Sequence, residues 1–209
     1  MADAALSITA SPLAALLMTA KTADVSAGSA ATQSADPFAA LLAVAVAPKA
    51  TIDTATAQSA DPVAALRAWG RACRQGGVVA ARDADYEALT WYPHDPQLDR
   101  WLELYRQAAR TNGGEPDAGR RLFAWAHEAG FEDVTPTASV WCYATADDRA
   151  WWAGLWADRM TMSAVGTQLV ASGASSVEEL HSIADAWRRW AAHPDGWFVV
   201  PHGEIIARV

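Results

Sequence analysis

Residues 61–209 predict an α/β protein, and three observations carry that expectation. Several segments place apolar residues at helical spacing. A short unbroken apolar run, Val78-Val79-Ala80-Ala81, sits between a glycine pair and an acidic cluster. Strand-like stretches recur near 131–143 and at 197–209. Composition agrees. The 209-residue chain is 52% apolar and 19% charged, which supports a sizeable core and excludes wholesale disorder.

The composition also divides the chain. All 11 Trp lie between Trp69 and Trp197, while the first 68 residues hold a single aromatic, Phe38. Residues 1–60 contain 21 Ala and 13 Ser or Thr, with no Arg and no Glu. Within them a 25-residue period repeats Ser11-Pro12-Leu13-Ala14-Ala15 as Asp36-Pro37-Phe38-Ala39-Ala40 and again as Asp61-Pro62-Val63-Ala64-Ala65. Each copy opens on a helix-start signal, a Ser or Asp cap followed by Pro. The expected organisation is a low-complexity Ala/Ser/Thr-rich leader over 1–60, weakly structured, followed by a folded region over 61–209.

A net charge of −8 argues against nucleic acid and anionic membranes as partners. Cys73 and Cys142 stand alone, which excludes a disulfide framework and a cysteine-rich zinc site. No apolar run reaches the roughly 18–20 residues of a membrane span. The start of the chain has no Lys or Arg before Lys21, so a cytoplasmic setting is expected, with Ser11–Ala20 the one stretch that resembles a short export segment.

In order, the chain predicts a helix over Asp61–Arg74, stopped at Gln75-Gly76-Gly77. The apolar run Val78–Ala81 then reads as a strand buried on both faces, as in a parallel sheet. Asp95-Pro96 starts a helix whose Leu98, Trp101, Leu102 and Tyr105 share one face, ended by Asn112-Gly113-Gly114. A helix over Asp117–Ala129 follows, with Leu122, Trp125, Ala126 and Ala129 on one face and Gly130 as its stop. Phe131–Tyr143 reads as a strand with Val134, Val140 and Cys142 among its apolar members. Helices are expected over Asp147–Leu169 and over Ser176–Ala192, the second opening on the capping pattern Ser176-Val177-Glu178-Glu179. Trp197–Val200 and Glu204–Val209 read as strands interrupted by Pro201-His202-Gly203. Trp101, Trp125, Trp151, Trp156 and Trp187 fall at helical spacing, so most tryptophans should be core, with an aromatic lid over a flat acceptor as the alternative.

The stretch Arg71-Ala72-Cys73-Arg74-Gln75-Gly76-Gly77-Val78-Val79-Ala80-Ala81-Arg82-Asp83-Ala84-Asp85-Tyr86 resembles class I S-adenosylmethionine-dependent methyltransferases where a helix leads into their fifth strand. Gln75 stands where that family usually has Pro. Ala129-Gly130-Phe131-Glu132-Asp133-Val134 resembles the family's entry into its sixth strand, and Trp197–Val209 would be its closing antiparallel strand, with the Trp-rich helices inserted before it. The nearest likeness is to actinobacterial members of the ubiquinone/menaquinone-methyltransferase-like group. The resemblance implies a partial Rossmann-like fold, S-adenosylmethionine as cofactor and a small-molecule methyl acceptor. It covers Asp61–Val209 alone. No Gly-x-Gly turn follows a strand anywhere in the chain, and no strand–turn–helix precedes Asp61, so no cofactor-binding residue is identifiable. The chain is therefore expected to be truncated relative to the family and inactive or nearly so by itself. The matched Gln-Ser-Ala-Asp-Pro lead-ins at 33–37 and 58–62 suggest a fusion or join at Asp61.

Five residues are candidates to face the acceptor. Asp83, Asp85 and Tyr86 follow a strand, and ligands of open α/β sheets bind beyond the carboxyl ends of strands. The plainer reading is a solvated exit loop. Arg120, at a helix start, could meet an anionic acceptor or a cofactor carboxylate. His202, in the last hairpin, could reach a cleft, the alternative being a surface turn. No residue is assigned as catalytic, and the five His show no metal-ligand spacing. The competing function is a non-enzymatic interaction module, self-associating through an exposed sheet edge.

Overall fold

The computed structural model describes residues 61–209; the leader over 1–60, with the first two copies of its repeat, lies outside the described residues, while the third copy opens the first helix. Helix α1 spans Pro62–Ala72 and starts as its sequence dictates. The Asp61 side chain accepts a hydrogen bond from the Ala64 amide at 2.8 Å, and Pro62 occupies the first turn, where its missing N–H costs nothing. Gly76, at φ +75°, turns the chain into strand β1, Val78–Ala84. A 3-10 turn over Tyr86–Ala88 and the short strand β2, Thr90–Tyr92, follow. Helix α2 spans Pro96–Thr111, a second 3-10 turn Ala118–Arg121, and helix α3 Leu122–Glu128. Strand β3, Val134–Tyr143, leads to helices α4 (Ala146–Met162), α5 (Ala164–Ala171) and α6 (Val177–Ala192), and strand β4, Trp197–Arg208, closes the order.

The sheet is built around β4. Strand β3 pairs along one edge of β4 from Tyr143–Phe198 to Val134–Ala207. The other edge is shared by β1, from Val78–Arg208 to Ala84–His202, and β2, opposite Trp197–Val199. All three pairings are antiparallel. The parallel neighbour expected for β1 is therefore corrected: an apolar run reports burial on two faces, not the direction of the strand beside it. Strands β1 and β3 run the same way with β4 reversed between them, an arrangement compatible with a partial Rossmann-like fold. The far edge of β1 carries no strand among the described residues.

Each face of β4 has its own cover. Phe198 and Val200 point into a core made by Leu98, Trp101 and Leu104 of α2, Trp152, Trp156 and Met160 of α4, and Leu180, Ile183, Trp187 and Trp190 of α6. Ile205 and Ala207, on the opposite parity, meet Leu66 of α1, Leu122 and Ala126 of α3, and Val79 and Ala81 of β1. Trp101, Trp156 and Trp187 are fully buried, so the core reading of these tryptophans holds; Trp151 is 38% exposed and Trp125 half-buried.

Three expected boundaries are corrected. The helix expected over Asp147–Leu169 breaks at Ser163, whose extended backbone ends α4 and whose hydroxyl caps α5 by accepting from the Val165 amide. The helix expected over Asp117–Ala129 opens as a 3-10 turn. The interruption expected at Pro201-His202-Gly203 is absent: β4 runs through it, with Pro201 opposite Val140 and Gly203 opposite both Asp83 and Ala138. In β3, Thr137, Ser139, Trp141 and Tyr143 share the face of Phe198 and Val200, while Val140 and Cys142 lie on the opposite face and are exposed.

Candidate functional site

The close approach of two glycines sets the geometry at the carboxyl end of β1. The 3-10 turn at 118–121 crosses β1 and β4 so tightly that a Cβ on Gly119 would lie 2.6 Å from the Asp83 carbonyl and 2.8 Å from the Gly203 amide nitrogen. A Cβ on Gly203 would run into the Gly119 carbonyl. The absence of both side chains lets backbone lie on backbone and swings Arg120 over the end of β1.

There Arg120 grips Asp85 with both arms, Nε to Oδ2 at 2.6 Å and Nη2 to Oδ1 at 2.8 Å, and donates through Nη1 to Glu87 at 2.7 Å. Asp85 is buried, and its amide donates to the Pro201 carbonyl at 2.9 Å, extending the β1–β4 ladder by one bond. The chain of charges continues outward. Arg106 of α2 meets Glu87 at 3.3 Å and Asp117 at 2.7 Å, and Arg110 meets Asp117 at 2.5 Å. Glu115 pairs with Arg121 at 3.1 Å. The four carboxylates, Asp85, Glu87, Asp117 and Glu115, thus face Arg120, Arg106, Arg110 and Arg121. Asp117 is 2% exposed. Burial by itself would raise its carboxyl, but hydrogen bonding from Arg106, the charge of Arg106 and the Glu87 amide together outweigh burial and hold it below the ordinary Asp range.

Tyr86, next in sequence to Asp85, turns the other way. Its ring stacks on Tyr105 of α2 at 4.7 Å between centroids and stands edge-on to Trp156 of α4 at 6.5 Å. Burial pushes the Tyr86 phenol well above its ordinary value, and the Tyr105 hydroxyl adds to the shift. Asp83 closes the strand, its Oδ1 accepting from the Ala84 amide at 2.9 Å. His202 sits in the middle strand opposite Ala84 and Ser139, 4% exposed, its ring 4.2 Å from that of Trp141. The expected placement of His202 in a hairpin is corrected: Pro201 and Gly203 are accommodated inside a strand, so the imidazole is interior.

The structure thus gathers Asp83, Asp85, Tyr86 and Arg120 at one end of β1, with His202 alongside in β4. Several participants carry no sequence signal for this role. Gly119 and Gly203 are 84 positions apart and matter only through their contact. Glu204, one strand over, is buried and accepts from Arg82 at 2.7 Å, Thr137 at 2.8 Å and Ser139 at 2.5 Å, a polar rung across three strands. The alternation of β3 places Thr137 and Ser139 on one face, but the partner that needs them is known only from the register.

The described residues do not fit S-adenosylmethionine by the usual route. No described strand leads through a glycine turn into a helix; the left-handed glycines 76, 113, 130 and 173 all follow helices. Among the described residues no group of three or more His, Cys, Asp or Glu is arranged to hold a metal ion, and no helix is long and apolar enough to cross a membrane.

No family model matches the chain. Over 140 residues, 65% of its length, the chain is 33% identical to an uncharacterized methyltransferase of Schizosaccharomyces pombe. It spans about half the length of that relative, 49%. The likeness supports a methyltransferase family in general. It does not reach the ubiquinone-type subgroup, and it lends no support to a bacterial origin.

Proposed function

We propose that this chain supplies the acceptor-side half of an S-adenosylmethionine-dependent methyltransferase acting on a small molecule, within a Rossmann-like sheet and in the cytoplasm. The observation that carries this reading is the convergence of Asp83, Asp85, Tyr86 and Arg120 at the carboxyl end of β1, the end at which open α/β sheets bind ligands. The element order of helix, strand, helix, strand, inserted helices and closing antiparallel strand supports it, as does the likeness to a methyltransferase. Two free cysteines support the reducing compartment.

In this reading S-adenosylmethionine supplies the methyl group, and no residue described here forms a bond to it. This chain's own residues position the acceptor. Arg120 and Asp85 lock each other and fix the loop that follows β1, so that Tyr86 is held against Tyr105 and Trp156. A wall held this rigidly lowers the entropic barrier to a displacement that needs donor and acceptor in line. The open edge of β1 is where the cofactor-binding strands of a complete sheet would pair.

Calorimetric titration with S-adenosylmethionine tests the reading on two proteins: the full chain, and residues 61–209 fused to the half of the fission-yeast relative that this chain does not match. The full chain is expected to show no micromolar binding and the fusion to show it. Micromolar binding by the full chain would overturn the division of labour, and no binding by a folded fusion would overturn the methyltransferase reading.

A further inference from the structure

Among the described residues, Arg159 is a buried cation with no carboxylate partner and an unsatisfied donor. Arg159 lies on α4, one turn beyond Trp156, and is 6% exposed. Its guanidinium carbon stands 4.5 Å over the Trp156 ring, and its Nη1 has no hydrogen-bond partner. No carboxylate lies within ion-pair distance of it among the described residues. The contrast with Arg149, the other buried arginine of α4, is direct: Arg149 donates from Nε to the Ala191 carbonyl at 3.1 Å and from Nη1 to the Ala144 carbonyl. The charged belt a short way along the chain likewise leaves none of Arg106, Arg110, Arg120 or Arg121 without a carboxylate. An ionised group taken out of water is costly unless it is paired and hydrogen-bonded, and the cation–π contact with Trp156 offsets only part of that cost.

The surroundings specify what is missing. Its guanidinium lies against the Trp156 ring, and next to that ring stand Tyr86 and Tyr105, stacked on each other and both half-buried. Arg159 is felt at the Tyr86 phenol, where its charge opposes the upward push of burial. The guanidinium fork matches the two oxygens of a carboxylate, and rings of this kind line sites for flat organic molecules. A singly charged carboxylate costs less to strip of water than a dianionic phosphate, which favours it in a setting this apolar.

We propose that Arg159 is the binding residue for a carboxylate on the methyl acceptor, so that the acceptor is a small aromatic acid. Arg159 forms the fork-to-carboxylate pair, and the Tyr86–Tyr105 stack borders the ring. The assignment rests on the acceptor-side reading above, but its test needs no methyl donor.

The full-length chain is titrated at constant ionic strength with sodium benzoate, with benzamide and with inorganic phosphate, and followed by tryptophan fluorescence and thermal melting. Benzoate is expected to saturate and to raise the melting temperature. Benzamide, of the same shape without the charge, is expected to bind at least about tenfold more weakly, because a site built for a polar partner rejects the analogue lacking it. Phosphate is expected to give no saturable response. Arg159→Met should weaken benzoate by about tenfold or more while keeping a cooperative melt, and Arg159→Lys, which keeps the charge and loses the fork, should fall between. Equal binding of benzoate and benzamide, a saturable response to phosphate in place of benzoate, or wild-type benzoate affinity in Arg159→Met would each overturn the proposal. If Arg159→Met does not fold, the benzoate-to-benzamide contrast in the wild-type chain decides. Charge-selective benzoate binding alongside a folded fusion that ignores S-adenosylmethionine would retain the anion site and remove the methyl-transfer reading; the reverse pattern would do the opposite.

Discussion

The helical layer over Phe198 and the charged belt at the end of β1 are held by opposite means. In the first, Trp101, Trp156, Trp187 and Phe198 meet edge-to-face, stacked or tilted at 4.6–6.3 Å, and the binding force is area removed from water. Such contacts tolerate small shifts, because each is one of many. In the second, the positions are set by a backbone-on-backbone crossing and by a line of ion pairs. Its fixed point is Gly119 against Gly203, and a single added methyl is enough to disturb it. The layer supplies stability and the belt supplies position.

The comparison can be broken at several points. The largest effect is expected from Trp187→Ala, which removes a fully buried ring touching α2, α4 and β4; the loss should be about 3–5 kcal/mol, read from urea denaturation. A loss below about 1 kcal/mol would show that the layer collapses onto the gap. Gly119→Val should cost less overall, about 1–3 kcal/mol, because the collision with the Asp83 carbonyl and Gly203 is local. Its signature should be specific: amide exchange should speed up at 83–87 and 201–203 and stay unchanged across α6. A uniform rise would mean that belt and layer are one cooperative unit.

The smallest effect concerns pH. The Asp117 carboxyl is held below its ordinary value by Arg106 against the push of burial, so its contribution is fully present above pH ~3.9 and is lost as pH falls through the lower folded value. Arg106 and Arg110 are partly exposed, so the contribution is discounted to about 1 kcal/mol at neutral pH. Asp117→Asn should lower stability by that amount at pH 7 and flatten the decline on the acid side of pH ~3.9. An unchanged acid limb, measured by melts at fixed ionic strength, would remove Asp117 from the belt.

Much of the layer was legible beforehand. Leu180, Ile183, Ala184 and Trp187 sit at helical spacing and are all buried, and Ser176 caps their helix, its hydroxyl accepting from the Glu179 amide at 3.1 Å. Only half of that expected capping box forms, because the Glu179 carboxylate is drawn to Arg100 and Ser175 instead. In α2 the buried stripe is Leu98, Trp101, Leu104 and Ala108, rotated from the Leu102 and Tyr105 side, since helix α6 and strand β4 approach from the direction of Trp101. The site was legible residue by residue and not as an arrangement. Asp85 and Arg120 were both nameable, yet their mutual grip consumes the charge that each offered to a ligand. Arg159 carried no signal at all, since one arginine on a Trp-rich helix reads as surface charge until its burial is known.

The sequence by itself determined the local structure: where helices begin on Asp-Pro or Ser, where they end on a left-handed glycine, and which residues repel water. These follow from neighbours along the chain, through capping hydrogen bonds, backbone sterics and amphipathic period. Tertiary structure alone decided that β4 runs unbroken through Pro201 and Gly203, that β1 lies antiparallel to it, that Glu204 takes Arg82 and Thr137 as partners, and that Arg159 is buried with no anion among the described residues. Each of these depends on groups tens of residues apart brought to contact distance, where desolvation and pairing are settled between strands and helices rather than along them.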